Sequence, residues 1–201
     1  MRIGIDIDDT ISDTYDSLFH FAQKYTIEEL KRSGKIDLNQ EMKTHMYCSD
    51  LHHWNEQEEK NFFDKYYKTV VKEVKPKKFS AEVIEKLKKQ GHEIYIITAR
   101  FESDKFDIKE ETKDWLDKNH IYYDKLFVNI DKKAKVASEN KVDIFIDDSF
   151  QNCQEVANKD IKTYIFDTRI NEKLQHNKIE RIYSWPHFYQ EINKELEKKK
   201  I

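Results

Sequence analysis

Ile94-Tyr95-Ile96-Ile97 is apolar at four consecutive positions. Such a run suits a strand covered on both faces rather than one with a face in water. Comparable short runs recur along the chain: 2–7, 92–97, 125–128, 143–146, 163–166 and 179–183. Segments with helical spacing separate them. Phe79, Val83, Ile84 and Leu87 follow a candidate cap at Ser80, and Gly91 closes that helix. Ile108, Trp115 and Leu116 share a face behind Asp107, with Glu110 three residues on as in a capping box. Phe188, Ile192 and Leu196 form the last stripe, after a Ser184-Trp185-Pro186 helix start. Strand alternating with helix predicts an α/β fold with a Rossmann-like, doubly wound, mostly parallel sheet.

One interval breaks the rhythm. About 90 residues separate Asp8 from Thr98, where a single βαβ unit needs about 30. The surplus is helical in pattern. Ile11, Tyr15, Leu18, Phe19 and Ala22 repeat at helix spacing, followed by the polar break Lys31–Lys35 and by Asp37-Leu38. A longer helix then starts at an Asn55/Glu58 capping box, and Phe62, Phe63, Tyr66, Tyr67, Val70, Val71 and Val74 trace its apolar face. Lys75-Pro76 ends it. The chain therefore divides into a core, 1–13 with 76–201, and a small helical insertion, 14–75, placed after the first strand. The plainer role for the Phe/Tyr stripe is to be the insertion's own core. The lysine-rich end, Lys198-Lys199-Lys200, reads as a frayed, solvated terminus.

Composition excludes several classes. With 201 residues, 36 basic and 39 acidic, the formal charge is −3; that balance argues against a polymeric nucleic acid or a membrane surface as partner. The 38% hydrophobic and 13% aromatic content is too high for a disordered chain. Asp6, Asp8 and Asp9 stand where a signal peptide would need an apolar stretch, and no run approaches the roughly 20 apolar residues of a membrane helix. Cys48 and Cys153 lack any zinc or disulfide spacing, as in a reducing compartment. A soluble, cytoplasmic protein is expected.

The chemistry concentrates at strand ends. In Ile5-Asp6-Ile7-Asp8-Asp9-Thr10 a strand runs into alternating acids, and residues two apart on an extended chain point to one side. Asp6 and Asp8 should therefore converge at the strand's carboxyl end, where open α/β sheets bind ligands. A second acidic pair, Asp147-Asp148, ends the run Ile144-Phe145-Ile146. If these strands are neighbours, the gathered negative charge calls for a cation, and hard oxygen donors point to Mg2+. For Asp9 or Asp147 taken alone, helix capping is an alternative role. Thr98-Ala99-Arg100 puts a hydroxyl and free backbone N–H groups after another strand, suited to an anionic oxygen. Lys132, Lys133 and Lys135, near a helix start, offer an ammonium to a phosphoryl oxygen or a carboxylate.

Together DIDDT at 6–10, ITAR at 97–100, a downstream lysine and IDDS at 146–149 resemble the four motifs of the haloacid dehalogenase-like (HAD) hydrolases. The insertion resembles that superfamily's C1-type cap. The DD form of the fourth motif, the cap's size and the segment Ile179–Trp185 resemble the 5′(3′)-deoxyribonucleotidases and related bacterial proteins. The resemblance implies a Mg2+-dependent phosphomonoesterase that forms an aspartyl-phosphate, with a nucleotide as small-molecule substrate. Asp6 would be the nucleophile and Asp8 the general acid and base. Thr98, Ala99 and Lys133 would bind the phosphoryl group. The metal would sit on Asp6, the Asp8 main-chain carbonyl and Asp148, with Asp147 behind. At the eighth position after the nucleophile, animal members carry an aromatic residue that contacts the base; this chain has Thr14.

Substrate choice falls to the cap. Phe19, Tyr47, His52, Trp54 and Tyr66 are candidates to stack a base, or equally to pack. Arg100 and Arg181 are candidates to meet a second polar or anionic group, or to form surface salt bridges. A sugar phosphate, a phosphoprotein or a non-catalytic phosphate-sensing role are the alternatives; a lid over the crevice disfavours an extended protein substrate.

Overall fold

A computed structural model of the chain describes residues 1–36 and 48–198. Asp37-Leu38, Tyr47 and the last residues of the lysine-rich end, 199–201, lie outside the described residues. Six strands form one sheet: β1 (Arg2–Ile5), β2 (Glu93–Ile97), β3 (Lys125–Phe127), β4 (Ile144–Asp147), β5 (Lys162–Phe166) and β6 (Ile179–Ile182). Their order is β3-β2-β1-β4-β5-β6 and every pairing is parallel. The chain winds outward one way through β2 and β3, returns, and winds the other way through β5 and β6. The direction reverses between β1 and β4, so the crevice of a doubly wound sheet lies at their carboxyl ends.

Consecutive apolar residues are explained by burial on both sides. Ile3, Ile5, Ile94, Ile96, Ile144 and Ile146 belong to one cluster, with Val83, Ile84 and Leu87 of α4 (Ser80–Lys89), Trp115 and Leu116 of α5 (Ile108–Lys118) and Phe188 and Ile192 of α8 (Trp185–Lys198). Tyr95, Ile97 and Phe145 belong to a second, with Ala134 and Ala137 of α6 (Lys133–Glu139) and Val156 of α7 (Phe150–Ala157). Each fully buried Ile or Phe contributes about 1.5–3 kcal/mol relative to exposure.

Among the described residues, three helices intervene between β1 and α4: α1 (Thr14–Glu28), α2 (Cys48–Leu51) and α3 (Glu56–Glu73). Their aromatic residues form a separate cluster around Ala22, Tyr25, Phe62 and Tyr66. The two segments that join them to the sheet run side by side: the Asp13 N–H donates to the Lys75 carbonyl at 2.9 Å, and Lys77 Nζ donates to Asp13 Oδ1 at 2.7 Å. The Asn55/Glu58 capping box is complete. Ile11, assigned above to a helix stripe, instead lies in the loop before α1 and packs into the sheet core. Ser80 is not the cap of α4: Phe79 holds that place with φ 69° and no side-chain cap bond. No described helix is long and apolar enough to cross a membrane.

Gly4 allows the central strand to sit tight. A Cβ there would lie 2.9 Å from Phe145 Cδ2 and 3.2 Å from Val142 Cγ1, and β1 is hydrogen-bonded on both sides. Gly4→Ala should destabilise the fold by about 1–3 kcal/mol through overpacking. An unchanged midpoint in urea unfolding would show that this contact has slack.

Candidate active site

Beyond β1 the chain keeps the ladder for one more residue, because the Asp6 N–H donates to the Ile146 carbonyl at 3.0 Å. It then closes a tight turn in which the N–H groups of Thr10, Ile11 and Ser12 all point to the Ile7 carbonyl. Asp9, at φ 57°, accepts from the Tyr15 N–H at 2.9 Å, so it tethers the start of α1. Trp185 Nε1 donates to the Thr10 carbonyl at 3.1 Å and pins the turn from below. Of the three acids here, Asp9 is thus structural, while Asp6 and Asp8 turn into the crevice.

Lys133 is the first residue of α6 and only 3% exposed. Its ammonium donates to Asp6 Oδ1 at 2.5 Å and to Asp147 Oδ2 at 2.8 Å. Lys132, at the cap position of α6, and Lys135, 3.9 Å from Glu139, stay on the surface. Asp147 is saturated by protein donors: besides Lys133 it accepts from the Ser149 N–H at 2.8 Å and from Asn152 Nδ2 at 3.2 Å. The neighbouring Asp148 carboxylate accepts no hydrogen bond among the described residues, although its main-chain carbonyl accepts from Asn171 Nδ2 at 2.7 Å.

One oxygen each from Asp6, Asp147 and Asp148 falls within 4.8 Å of the others. Burial, with the charges of Asp147 and Asp8 beside it, pushes the Asp6 carboxyl up to about 8 despite the Lys133 ion pair. Burial and then the charges of Asp147, Asp6 and Asp9 push Asp148 well above the ordinary carboxylate range. Burial opposes charge on Lys133 too, but Asp147 and Asp6 outweigh it and keep the ammonium protonated. One positive charge against three carboxylates leaves an excess of negative potential on hard oxygen donors, and a divalent cation fits that donor set.

The Asp8 carboxylate stands apart from this cluster. It accepts from Arg100 Nη2 at 3.0 Å, from Arg100 Nε at 3.1 and 3.2 Å, and from the Thr14 hydroxyl at 2.7 Å. Burial raises its proton affinity, yet Arg100 and Thr14 outweigh burial and hold Asp8 below the ordinary carboxylate range. Arg100 is therefore committed to Asp8: its guanidinium is buried and lies 5.2 Å from the Trp115 ring. Thr98 is buried at the end of β2, with its hydroxyl accepting the Arg100 N–H at 3.3 Å. Ala99 is exposed, and its N–H makes no hydrogen bond among the described residues.

The other candidates are placed as follows. Arg181 clamps the loop after β5, donating to Asp167 Oδ1 and to Asn171 Oδ1 and its carbonyl. Trp54 packs 4.8 Å from Phe62 and donates to the Thr26 hydroxyl at 3.0 Å. His52 is buried and stacks on Trp54 at 5.5 Å, with Phe19 at 6.3 Å. Tyr66 is held by Glu29. Sequence reasoning missed the partners Thr14, Asn152 and Asn171. For Ser149, the signal was its place as N-cap of α7, where it accepts the Asn152 N–H.

Comparison with known proteins agrees with this arrangement. Residues 1–199 match the family described as 5′ nucleotidase, deoxy (pyrimidine), cytosolic type C. A nucleotidase of Clostridium acetobutylicum is 30% identical, over 98% of this chain and 96% of that protein. A haloacid dehalogenase-like hydrolase from Streptococcus pneumoniae superposes with a TM-score of 0.67 at 16% identity, covering 95% of this chain and 97% of the other. A magnesium-bound HAD protein of Bacillus subtilis gives 0.63 at 15%, covering 96% and 98%.

Replacing Lys133 by Met leaves two buried carboxylates facing each other without their cation. The variant should lose about 3 kcal/mol of stability. The loss should be larger near pH 8 than near pH 5, because at lower pH the orphaned carboxyls take up protons. Urea unfolding with chelator present at both pH values checks the sign; equal losses would show that the ion pair does not carry the effect.

Proposed function

The chain belongs to the cytosolic type C 5′-nucleotidase family and is a phosphatase with the HAD fold; on that footing we propose that it hydrolyses nucleoside monophosphates through an aspartyl-phosphate on Asp6, with magnesium as cofactor. The observation that carries this reading is the meeting of Asp6, Asp147 and Asp148 around Lys133 at the β1/β4 switch.

Asp6 is the nucleophile of the proposal. Lys133 supports that role by keeping the attacking carboxylate oriented and its charge compensated while the phosphoryl group approaches. Attack on phosphorus forms the Asp6–phosphate bond and breaks the bond to the leaving oxygen, which takes a proton from Asp8. Arg100 and Thr14 favour ionised Asp8, so it carries that proton only after the bound phosphate monoanion has passed it on. In the second step Asp8 removes a proton from water, which displaces phosphate from Asp6. Arg100 and Thr14 orient Asp8 for both steps. Thr98 and the free Ala99 N–H are assigned to the phosphoryl oxygens. A magnesium ion held by Asp6, the Asp8 main-chain carbonyl and Asp148 would neutralise charge on the phosphoryl oxygens, with Asp147 holding Lys133 in place. We read residues 14–75 as a cap over a core of 1–13 and 76–201. Two side-by-side connections and a separate aromatic cluster support that division.

The proposal is tested by phosphate release over a panel of nucleotide, sugar and amino-acid monophosphates. Turnover of at least one nucleoside monophosphate, lost with chelator, is expected. Turnover confined to the other esters would overturn the nucleotide assignment. Asp6→Asn should abolish turnover and covalent phosphate trapping; full activity in that variant rules out Asp6 as nucleophile. Arg100→Gln should lower kcat by about 100-fold, since Asp8 loses its orienting partner. A kcat within about twofold of wild type would remove Arg100 from the mechanism.

A further inference from the structure

Between α1 and α3 lies a cavity of about 90 Å3 with apolar walls, formed by Tyr15, Leu18, Trp54, Phe62 and Phe63. The charged side chain that lines it is Glu59, half-buried in the first turn of α3. Among the described residues the Glu59 carboxylate has no hydrogen bond and no ion pair. Its neighbours do: Glu58 holds Arg32 and closes the Asn55 capping box, and Asp64 meets Lys105 at 3.5 Å. At the cavity wall that carboxylate is an acceptor with no protein donor, open to a donor on a ligand.

The position of the cavity ties it to the chemistry. Tyr15 follows Thr14, whose hydroxyl donates to Asp8. Phe63 packs 5.7 Å from Phe101, which follows Arg100, the other partner of Asp8. Both walls are thus continuous with the groups that hold Asp8, so the cavity flanks the crevice in which the ester would be cleaved. Aromatic walls suit a flat ring. A lone carboxylate facing them suits N–H groups on that ring's edge and repels a carbonyl presented at the same place.

We propose that this cavity takes the edge of the nucleobase and that Glu59 selects bases carrying an exocyclic amino group, accepting its N–H. Cytosine and guanine offer the carboxylate an exocyclic amino N–H; uracil and hypoxanthine offer only a ring N–H, with a carbonyl or a C–H in place of the amino group. The inference rests on the nucleotide reading above and adds to it a residue and a base preference.

Two substrate pairs test the amino group. GMP and IMP differ by that group alone. CMP and UMP differ by it and by the ring N3, an acceptor in cytosine and an N–H donor in uracil. The purine pair therefore isolates the amino group, and the pyrimidine pair reads it together with N3. In the wild-type chain kcat/KM should favour the amino-bearing member of a pair by about tenfold or more. In Glu59→Gln the preference should fall to within about threefold of unity, because an amide offers a donor as well as an acceptor. Glu59→Ala should also lose it. The ratio is internal to each preparation, so a partly unfolded variant changes both rates together and leaves it intact. A wild-type ratio near unity for both pairs overturns the proposal, and so does a preference that survives in Glu59→Gln; either leaves nucleotide hydrolysis standing. Failure to release phosphate from any of the four nucleotides, while another monophosphate is hydrolysed, overturns the nucleotide reading and this inference with it.

Discussion

The Lys133 ammonium, shared between Asp6 and Asp147, is the interaction on which the rest of the centre depends. Two neighbouring parallel strands end in acids, and burying them side by side is tolerable only with a cation between them. A lysine at the first turn of α6 supplies one positive charge and leaves the cluster short of another. That shortage is a functional property. A group that fully neutralised the carboxylates would leave no potential to draw in a divalent ion or to favour a phosphoryl group bound to one. Asp147, saturated by Lys133, Ser149 and Asn152, anchors the lysine. Asp148, with no donor on its carboxylate among the described residues, remains available.

A second charge system sits beside the first and is almost closed. Arg100 and Thr14 together satisfy Asp8. Arg100 leaves the loop after β2, and Thr14 starts α1, so the orientation of Asp8 depends on both. The Tyr67 hydroxyl extends this link by accepting the Phe101 N–H at 2.9 Å while the two rings stack 4.0 Å apart. Helix α3 is thereby fastened to the residue that follows Arg100. Asp8 is thus placed by contacts from α1 and from the loop after β2, whereas Asp6 is held by the sheet and α6.

Much of this is legible in the sequence for a physical reason. Strands buried on both faces need unbroken apolar runs, and the acids stand out because they end those runs. Side chains two apart then fix which acids can converge. The reach of the reading ends where partners are chosen by three-dimensional proximity. Ala134, Val136 and Ala137 after Lys133 resemble the family's helix pattern and favour it over Lys132 and Lys135, but charge and spacing alone leave all three open. In the structure Lys133 is the one buried at the start of α6. Arg100 and Arg181 both look available in one dimension, yet one is consumed by Asp8 and the other by the loop carbonyls after β5. Thr14, noticed only as a departure from an aromatic residue, acts as a hydroxyl donor to Asp8. Ser80 is not the cap because Phe79, at φ 69°, holds the N-cap position and Ser80 is already the first residue of the helix.

The distribution of unpaired groups separates reaction from recognition. At the strand ends Lys133 holds Asp6 Oδ1 and Asp147, and Arg100 with Thr14 holds Asp8, so these carboxylates are oriented by protein donors before any ligand arrives. Among the groups left without a protein partner are the Asp148 carboxylate and the Ala99 N–H at the strand ends, Arg100 Nη1 beside Asp8, and Glu59 at the apolar cavity. A preorganised centre needs rigid neighbours, and these come from the central strands. A discriminating pocket needs side chains outside that centre, and these come from α1 and α3, which meet the rest of the chain at Asp13 and Lys75–Lys77 and again where Tyr67 stacks on Phe101. Substitutions in the aromatic walls can therefore alter which leaving group is accepted while the carboxylate–lysine cluster at the strand ends keeps its geometry.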